Sequence, residues 1–240
     1  MVAKKTEYGA GPLFRVAGTV AGVMMGSGLL VLANALLLPA LAAQPVAGAA
    51  GGWLVLAALV PLGPALVACA YAFNRLLAGQ DTGVFRDFLQ SYRLNFVQAI
   101  IVWLPYLLAL AVITTNLAGM PAGLGTDNPA GPAFRLALLV MALLVATASM
   151  NALLLLARFS FRTQDLYRLS LYSFGAQKRV VLGNAGILFV SAALLLMTTV
   201  LLLPVMAGTA LFLVCLNSRP LLRLVEDKFT AAPPEEPGTP

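Results

Sequence analysis

Arg86, Gln90 and Arg93 recur on one side of a helical repeat, and Phe85, Phe88, Leu89, Tyr92 and Phe96 recur on the other. Guanidinium groups bind carboxylates and phosphates through paired N–H donors, while aromatic rings fill apolar grooves or sink into a bilayer interface. The chemistry on offer is therefore recognition. Its object is either anionic lipid of the inner leaflet or the acidic groove of a partner protein. Asn95 lies within the same stretch, and Arg158-Phe159 sets a second cation beside an aromatic ring.

A second group of polar residues sits inside apolar runs: Asn34, Asn116, Asn151 and Asn184. Amides there either hydrogen-bond the hydroxyls of a neutral solute along a path, or join helices at about 0.6 kcal/mol apiece. Catalytic types are missing. The chain has no histidine, the commonest general base and metal ligand. It also lacks a P-loop, a nucleophile elbow and an intramembrane carboxylate. The expectation is no catalytic residue, no metal, no cofactor and no enzyme activity. Cys69 and Cys215 lie in apolar runs and read as small hydrophobes.

These residues must be carried by a lipid-embedded scaffold. Of 240 residues, 60% are hydrophobic and 10% charged, against about 45–50% and about 25% in soluble domains. Such a chain cannot hide its apolar surface from water. The apolar runs predict six transmembrane helices at about 17–41, 53–74, 97–117, 134–157, 180–202 and 205–221. Leu38-Pro39-Ala40-Leu41-Ala42-Ala43 resembles a cleavage site, but the run before it exceeds a signal peptide's apolar core, so an uncleaved span is expected. Pro61 and Pro64 predict a break in the second span. Gln44–Gly52 reads as a short loop, and Pro204 marks the turn between the last two spans.

Two amphipathic surface helices are expected, at about 82–96 and 163–174. Asp81 or Thr82 would cap the first and Thr163 the second, with Gly175 ending the second. On the second, Leu166, Tyr167, Ser170, Leu171 and Phe174 share a face. Aligning Asp87 with Asp165 also brings Phe96 onto Phe174, a faint internal echo. With both termini in the cytoplasm, Arg135 alone among the 15 Lys and Arg residues falls outside. Residues 1–16 are then cytoplasmic, as is the tail 223–240, which is proline-rich and expected to be disordered from about 230. That charge distribution is a topology signal, so no nucleic-acid partner is expected. Gly18, Gly22, Gly26 and Gly28 offer close-packing sites, within the monomer or in a homo-oligomer.

Phe85-Arg86-x-Phe88-Leu89-x-Ser91-Tyr92-Arg93-x-x-Phe96 resembles the hallmark of the YesL-like family of bacterial membrane proteins, a domain of unknown function. Gly11-Pro12-Leu13-Phe14-Arg15, Asn34, Gly63-Pro64-Ala65, Ala70-Tyr71 and Arg158-Phe159 resemble it too, so the likeness runs roughly from Gly11 to Arg223. The stretch between Asn34 and Pro64 is longer than the family pattern. The resemblance implies an accessory membrane protein accompanying carbohydrate-import ABC transporters, with the permease or ATPase as partner. The alternative expectation is a small neutral-solute transporter or channel in its own right, lined by the four asparagines.

Overall fold

The computed structural model describes residues 12–47, 49–80, 83–119, 130–159, 162–197 and 203–229. Every regular element among them is a helix: α1 (Pro12–Ala33), α2 (Leu37–Ala47), α3 (Ala49–Ala58), α4 (Leu62–Ala78), α5 (Val84–Gly119), α6 (Ala130–Arg158), α7 (Thr163–Ala176), α8 (Lys178–Met197), α9 (Leu203–Asn217) and α10 (Arg219–Phe229). Five segments are long and apolar enough to cross a membrane: Val16–Ala33, Gly51–Ala78, Val84–Gly119, Gly131–Arg158 and Lys178–Leu195. A shorter apolar helix runs over Met206–Asn217. By length and composition this is a multi-pass membrane type.

Small residues set the packing. α4 touches α1, α5, α6 and α9, and its Ala65, Val67, Ala68, Cys69, Ala70, Ala72 and Phe73 are buried. In lipid, helices gain little from apolar burial alone, so close backbone approach must supply the attraction. Gly22 and Gly26 of α1 provide it. A Cβ on Gly26 would lie 2.5 Å from the Phe73 ring, and one on Gly22 would lie 2.7 Å from Leu76 and 3.3 Å from Val84. The Gly22-x-x-x-Gly26 pair thus packs within the monomer. Gly18 and Gly28 have open space instead, so neither is a close-packing site within the monomer. Phe73 meets Phe212 of α9 edge-on at 5.6 Å.

Prolines and amides break the helices elsewhere than hydropathy suggests. The first apolar run is not one helix, because α1 stops at Ala33 and a turn over 34–36 precedes α2. Asn34 bends its amide back onto the Leu30 carbonyl at 2.8 Å, and Pro39 has no N–H to give Ala35. Gln44–Gly52 is not a loop either, since all but Gly48, which lies outside the described residues, belongs to the helical pair α2–α3. A Cβ on Gly51 would come within 2.9 Å of the Gln44 backbone, so only glycine lets the pair close. That pair accounts for the long stretch between Asn34 and Pro64. The break expected at Pro61 is present, with turn residues at Leu59–Pro61 separating α3 from α4.

Several other expectations need correction. Residues 84–119 form one helix of 36 residues, so no separate surface helix precedes the third span. α7 begins at Thr163 with Arg162 as its cap residue, and it passes Gly175 to end at Ala176. Its buried face is Leu166, Ser170 and Ser173, while Leu171 is 67% exposed. The echo therefore fails in structure: α5 is continuous, whereas α7 and α8 are separated at Gln177. Pro204 lies in the first turn of α9, where its missing N–H costs nothing. The tail, expected to lose order only from about 230, forms amphipathic α10 as far as Phe229, with Leu221, Leu222 and Val225 buried. Asp81, Thr82, residues 198–202, most of the 118–132 loop and 230–240 lie outside the described residues.

Replacing Gly26 by Leu should destabilise the protein in detergent by about 2 kcal/mol or more through overpacking against Phe73. Gly18→Leu, facing open space, should leave the thermal midpoint nearly unchanged; equal losses would refute the packing account.

Candidate functional site

α4 and α5 are joined by a tight reversal. Gly79 adopts φ 69°, its N–H bonds Leu76 O, and the Gln80 N–H bonds Arg75 O. This pairing is a Schellman cap, and it needs a residue without a Cβ penalty at Gly79. The reversal brings Asp87, one turn into α5, back to Arg75: Nε and Oδ2 lie 3.4 Å apart, with the Asp87 side chain wholly buried. Arg75 also donates from Nη2 to Gln80 O at 2.9 Å and from Nη1 to the Tyr71 hydroxyl at 3.1 Å. Asp87 at a helix N-terminus and Arg75 at a helix C-terminus both suit the local dipoles.

This pair sets the rotation of α5. Val84, Asp87, Phe88 and Ser91 are buried, so the inward face is turned away from the expected aromatic one. Phe88 (4% exposed) is core and stacks on Tyr92, with centroids 5.7 Å apart; Tyr92 meets Phe96 at 5.3 Å. Asn95 donates to Ser91 Oγ at 3.2 Å. Phe85 is 54% exposed and Phe96 36%. Phe85, Arg86, Leu89, Gln90, Arg93 and Leu94 line an open hollow along the outer face. The predicted motif is thus split, with Phe88, Tyr92 and Asn95 holding the fold while Phe85, Arg86 and Arg93 face outward. Arg158 pairs with Glu226 of α10 at 2.8 Å, and Phe159 packs against the core.

The four asparagines do not gather into a path. Asn116 is exposed and, among the described residues, bonds only Val112 O of its own helix. Asn34 sits at the α1 turn, and its Oδ1 has no hydrogen-bond partner among the described residues. Asn151 and Asn184 do meet: Asn184 Nδ2 donates to Asn151 Oδ1 at 2.9 Å and to Ser218 Oγ at 3.0 Å. Asn217 Nδ2 donates to Asn184 Oδ1 at 2.9 Å and to Val180 O at 2.8 Å. Asn151 Nδ2 reaches Ser173 Oγ at 3.2 Å, while Ser170 Oγ donates to Ala148 O at 2.7 Å. The cluster ties α6, α7, α8 and α9 together, and each amide oxygen of Asn151 and Asn184 is used internally. A Cβ on Gly183 would fall 2.5 Å from the Asn217 amide, so glycine admits the last member.

Sequence reasoning missed the Arg75–Asp87 pair, Asn217, Ser218 and Ser173, and it placed Ser170 on the α7 face without its partner. One signal was available. Pro105 cannot donate to Ile101 O, so a foreign donor was required. The Tyr167 hydroxyl supplies it, at 3.0 Å from Ile101 O and 3.2 Å from Val102 O. Burial, and secondarily Tyr106, push the Tyr167 phenol up from its ordinary value, which keeps that proton in place. Likewise Trp103 Nε1 donates to Leu59 O at the α3–α4 break, lying over Gly63, where a Cβ would be 2.6 Å from its side chain.

Residues 23–117 match DUF624, described as a protein of unknown function. The matched segment holds α4, the Schellman reversal, the Arg75–Asp87 pair and the outward face of α5. No curated protein and no solved structure matches the chain.

Asn184→Leu should lower stability by about 2 kcal/mol, since it strands Asn151, Asn217 and Ser218 together. Asn116→Leu, which removes only a bond within one helix, should be near neutral in the same thermal unfolding assay.

Proposed function

We propose that this protein is a non-enzymatic accessory subunit of the bacterial plasma membrane that docks a solute importer through the outer face of α5. The observation that carries this reading is the outward face of α5, where Phe85, Arg86, Leu89, Gln90, Arg93 and Leu94 are all exposed around one open hollow. Val84 stands beside Gly22, well inside the Val16–Ala33 segment. α1 descends antiparallel to α4, pairing Gly22 with Leu76 and Gly26 with Phe73 and Cys69. α5 is also antiparallel to α4, so α1 and α5 run side by side in the same direction. Arg93, nine residues past Val84, therefore lies about 13 Å further along, level with the end of that apolar segment.

Exposed Arg86, Gln90 and Arg93 thus run down the flank of the bundle rather than across its top. Carboxylates of a partner protein and anionic headgroups of the inner leaflet would each suit such a face; the resemblance to importer-associated proteins tips the reading toward a protein.

The wider reading follows the resemblance to YesL-like proteins: six spans with both termini in the cytoplasm, α9 as the sixth span, and a carbohydrate ABC permease or ATPase as the partner. Transport of a neutral solute by this chain alone has less support, because Asn151 and Asn184 spend their hydrogen bonds on each other and on neighbouring helices.

Mild-detergent purification should recover an ABC permease or ATPase with the wild type, and Phe85→Ala with Arg86→Glu should reduce recovery at least about tenfold without lowering the thermal midpoint. Isolation of the chain alone, or as a homo-oligomer only, would contradict the accessory role. Phe88→Ala is unsuited to the purpose, because it empties the core. For orientation, single cysteines at Gln80 and Gln177 should react with an impermeant maleimide only after the cells are opened; labelling of intact cells would overturn the topology.

A further inference from the structure

We propose that α2 and α3 move together as one hinged arm that closes against the second half of α5. The antiparallel runs α1–α2 and α3–α4 are broken at the same level. Gly26 lies against Phe73 and Cys69, and Gly51 lies against the Gln44 backbone. Eight residues on from Gly26 is Asn34, and eight back from Cys69 is Pro61. Eight back from Gln44 is Leu36, and eight on from Gly51 is Leu59. Counted from either side, the turn at 34–36 stands beside the turn at 59–61. Prolines hold both breaks open, since Pro39 cannot donate to Ala35 O, nor Pro64 to Val60 O. Hinges are built from just such a few residues at element ends.

Beyond the breaks little ties the arm to the bundle. α2 and α3 pack on each other and, among the described residues, make no more than passing contact with any other element. Next to the hinge Leu56 packs on the core and Ala58 is buried, whereas Val46 near the tip is 92% exposed. No charged residue lies between Arg15 and Arg75 to anchor the arm by an ion pair. Among the described residues no side-chain hydrogen bond joins α2 or α3 to another element. Trp103 donates to Leu59 O at the break itself, so it holds the pivot and leaves the arm free.

α5 marks where the arm would close. Trp103, Leu107, Leu110 and Thr114 follow one stripe of that helix. Trp103 and Leu107 are buried and Leu110 packs on the core, yet Thr114 is exposed. α5 runs antiparallel to α3–α4 with Trp103 at Leu59; Thr114 is eleven residues further on, and Ala49, where α3 starts, is ten residues back. The arm therefore meets α5 at the pivot and stands off it towards the tip. With 11 residues in α2 and 10 in α3, the arm is about 15 Å long, and a change of about 20° in bend moves its tip by about 5 Å.

Spin labels on single cysteines replacing exposed Val46 and Thr114, in the full chain in lipid nanodiscs, measure the motion; Cys69 and Cys215 are buried and stay unlabelled. Double electron–electron resonance should give two distance populations at least about 5 Å apart. Pro39→Ala with Pro64→Ala, which restores the missing donors, should leave a single population. Labels at Leu38 and Leu54, both within the arm, should give one narrow distance in either protein. A single Val46–Thr114 distance in the unaltered background would overturn the hinge, and a broad Leu38–Leu54 distance would show the pair unravelling instead of swinging. Should the proline variant fail to fold, these two measurements on the parent chain still decide. Recovery of a partner through Phe85 and Arg86 is untouched by either result.

Discussion

Close approach of backbones around α4 is the constraint from which the rest of the architecture follows. In water, a core of mixed sizes is held together by the removal of apolar surface. In lipid that gain is largely absent, and dispersion contacts and internal hydrogen bonds must hold the bundle. α4 meets this with Gly63, Ala65, Ala68, Cys69, Ala70 and Ala72, and its neighbours answer with Gly22 and Gly26 on α1. Gly208 of α9 repeats the device against Ser27, whose side chain a Cβ would overlap. Phe73 of α4 enters edge-on against Phe212.

The same solvent makes every unpaired backbone group expensive, and at two of the proline sites a distant side chain supplies a donor. Pro61 interrupts the helix and Trp103 donates to the Leu59 carbonyl; Pro105 frees Ile101 and Tyr167 donates to it. The donors come from distant segments, so these bonds also act as tertiary clasps. Arg219, reaching the Leu77 carbonyl at 2.8 Å, does the same for the end of α4 and pins the start of α10. Together with Arg158–Glu226, this fastens α10 over the ends of α4 and α6.

Polar order and cationic charge gather at one end of the bundle. The Arg75–Asp87 pair, the asparagine cluster, α7 and α10 all lie where α4 and α6 end and where α5 and α8 begin. The opposite end has fewer buried polar groups among the described residues. In the accessory reading proposed above, the exposed Arg86 and Arg93 face at that end is where a partner would sit. The bundle is poorly suited to opening a path through its own centre, because the cluster that would have to part is the one binding four helices together.

Hydropathy and charge spacing alone determined the helical membrane class, the approximate apolar segments and the break at Pro61. Those properties depend on local composition and on what proline removes from a helix, and neither needs a neighbour. Likewise the outward placement of Arg86 and Arg93 follows from one helical period. Which face of α5 turns inward was decided only in three dimensions. Periodicity favoured the aromatic side, but a buried carboxylate matched to Arg75 across the Gly79 reversal outweighs the burial of one more ring. The asparagines show the same division. Their presence in apolar runs was legible, while their partnership was not, because hydrogen bonds between Asn151, Asn184, Asn217 and Ser218 join residues more than thirty positions apart.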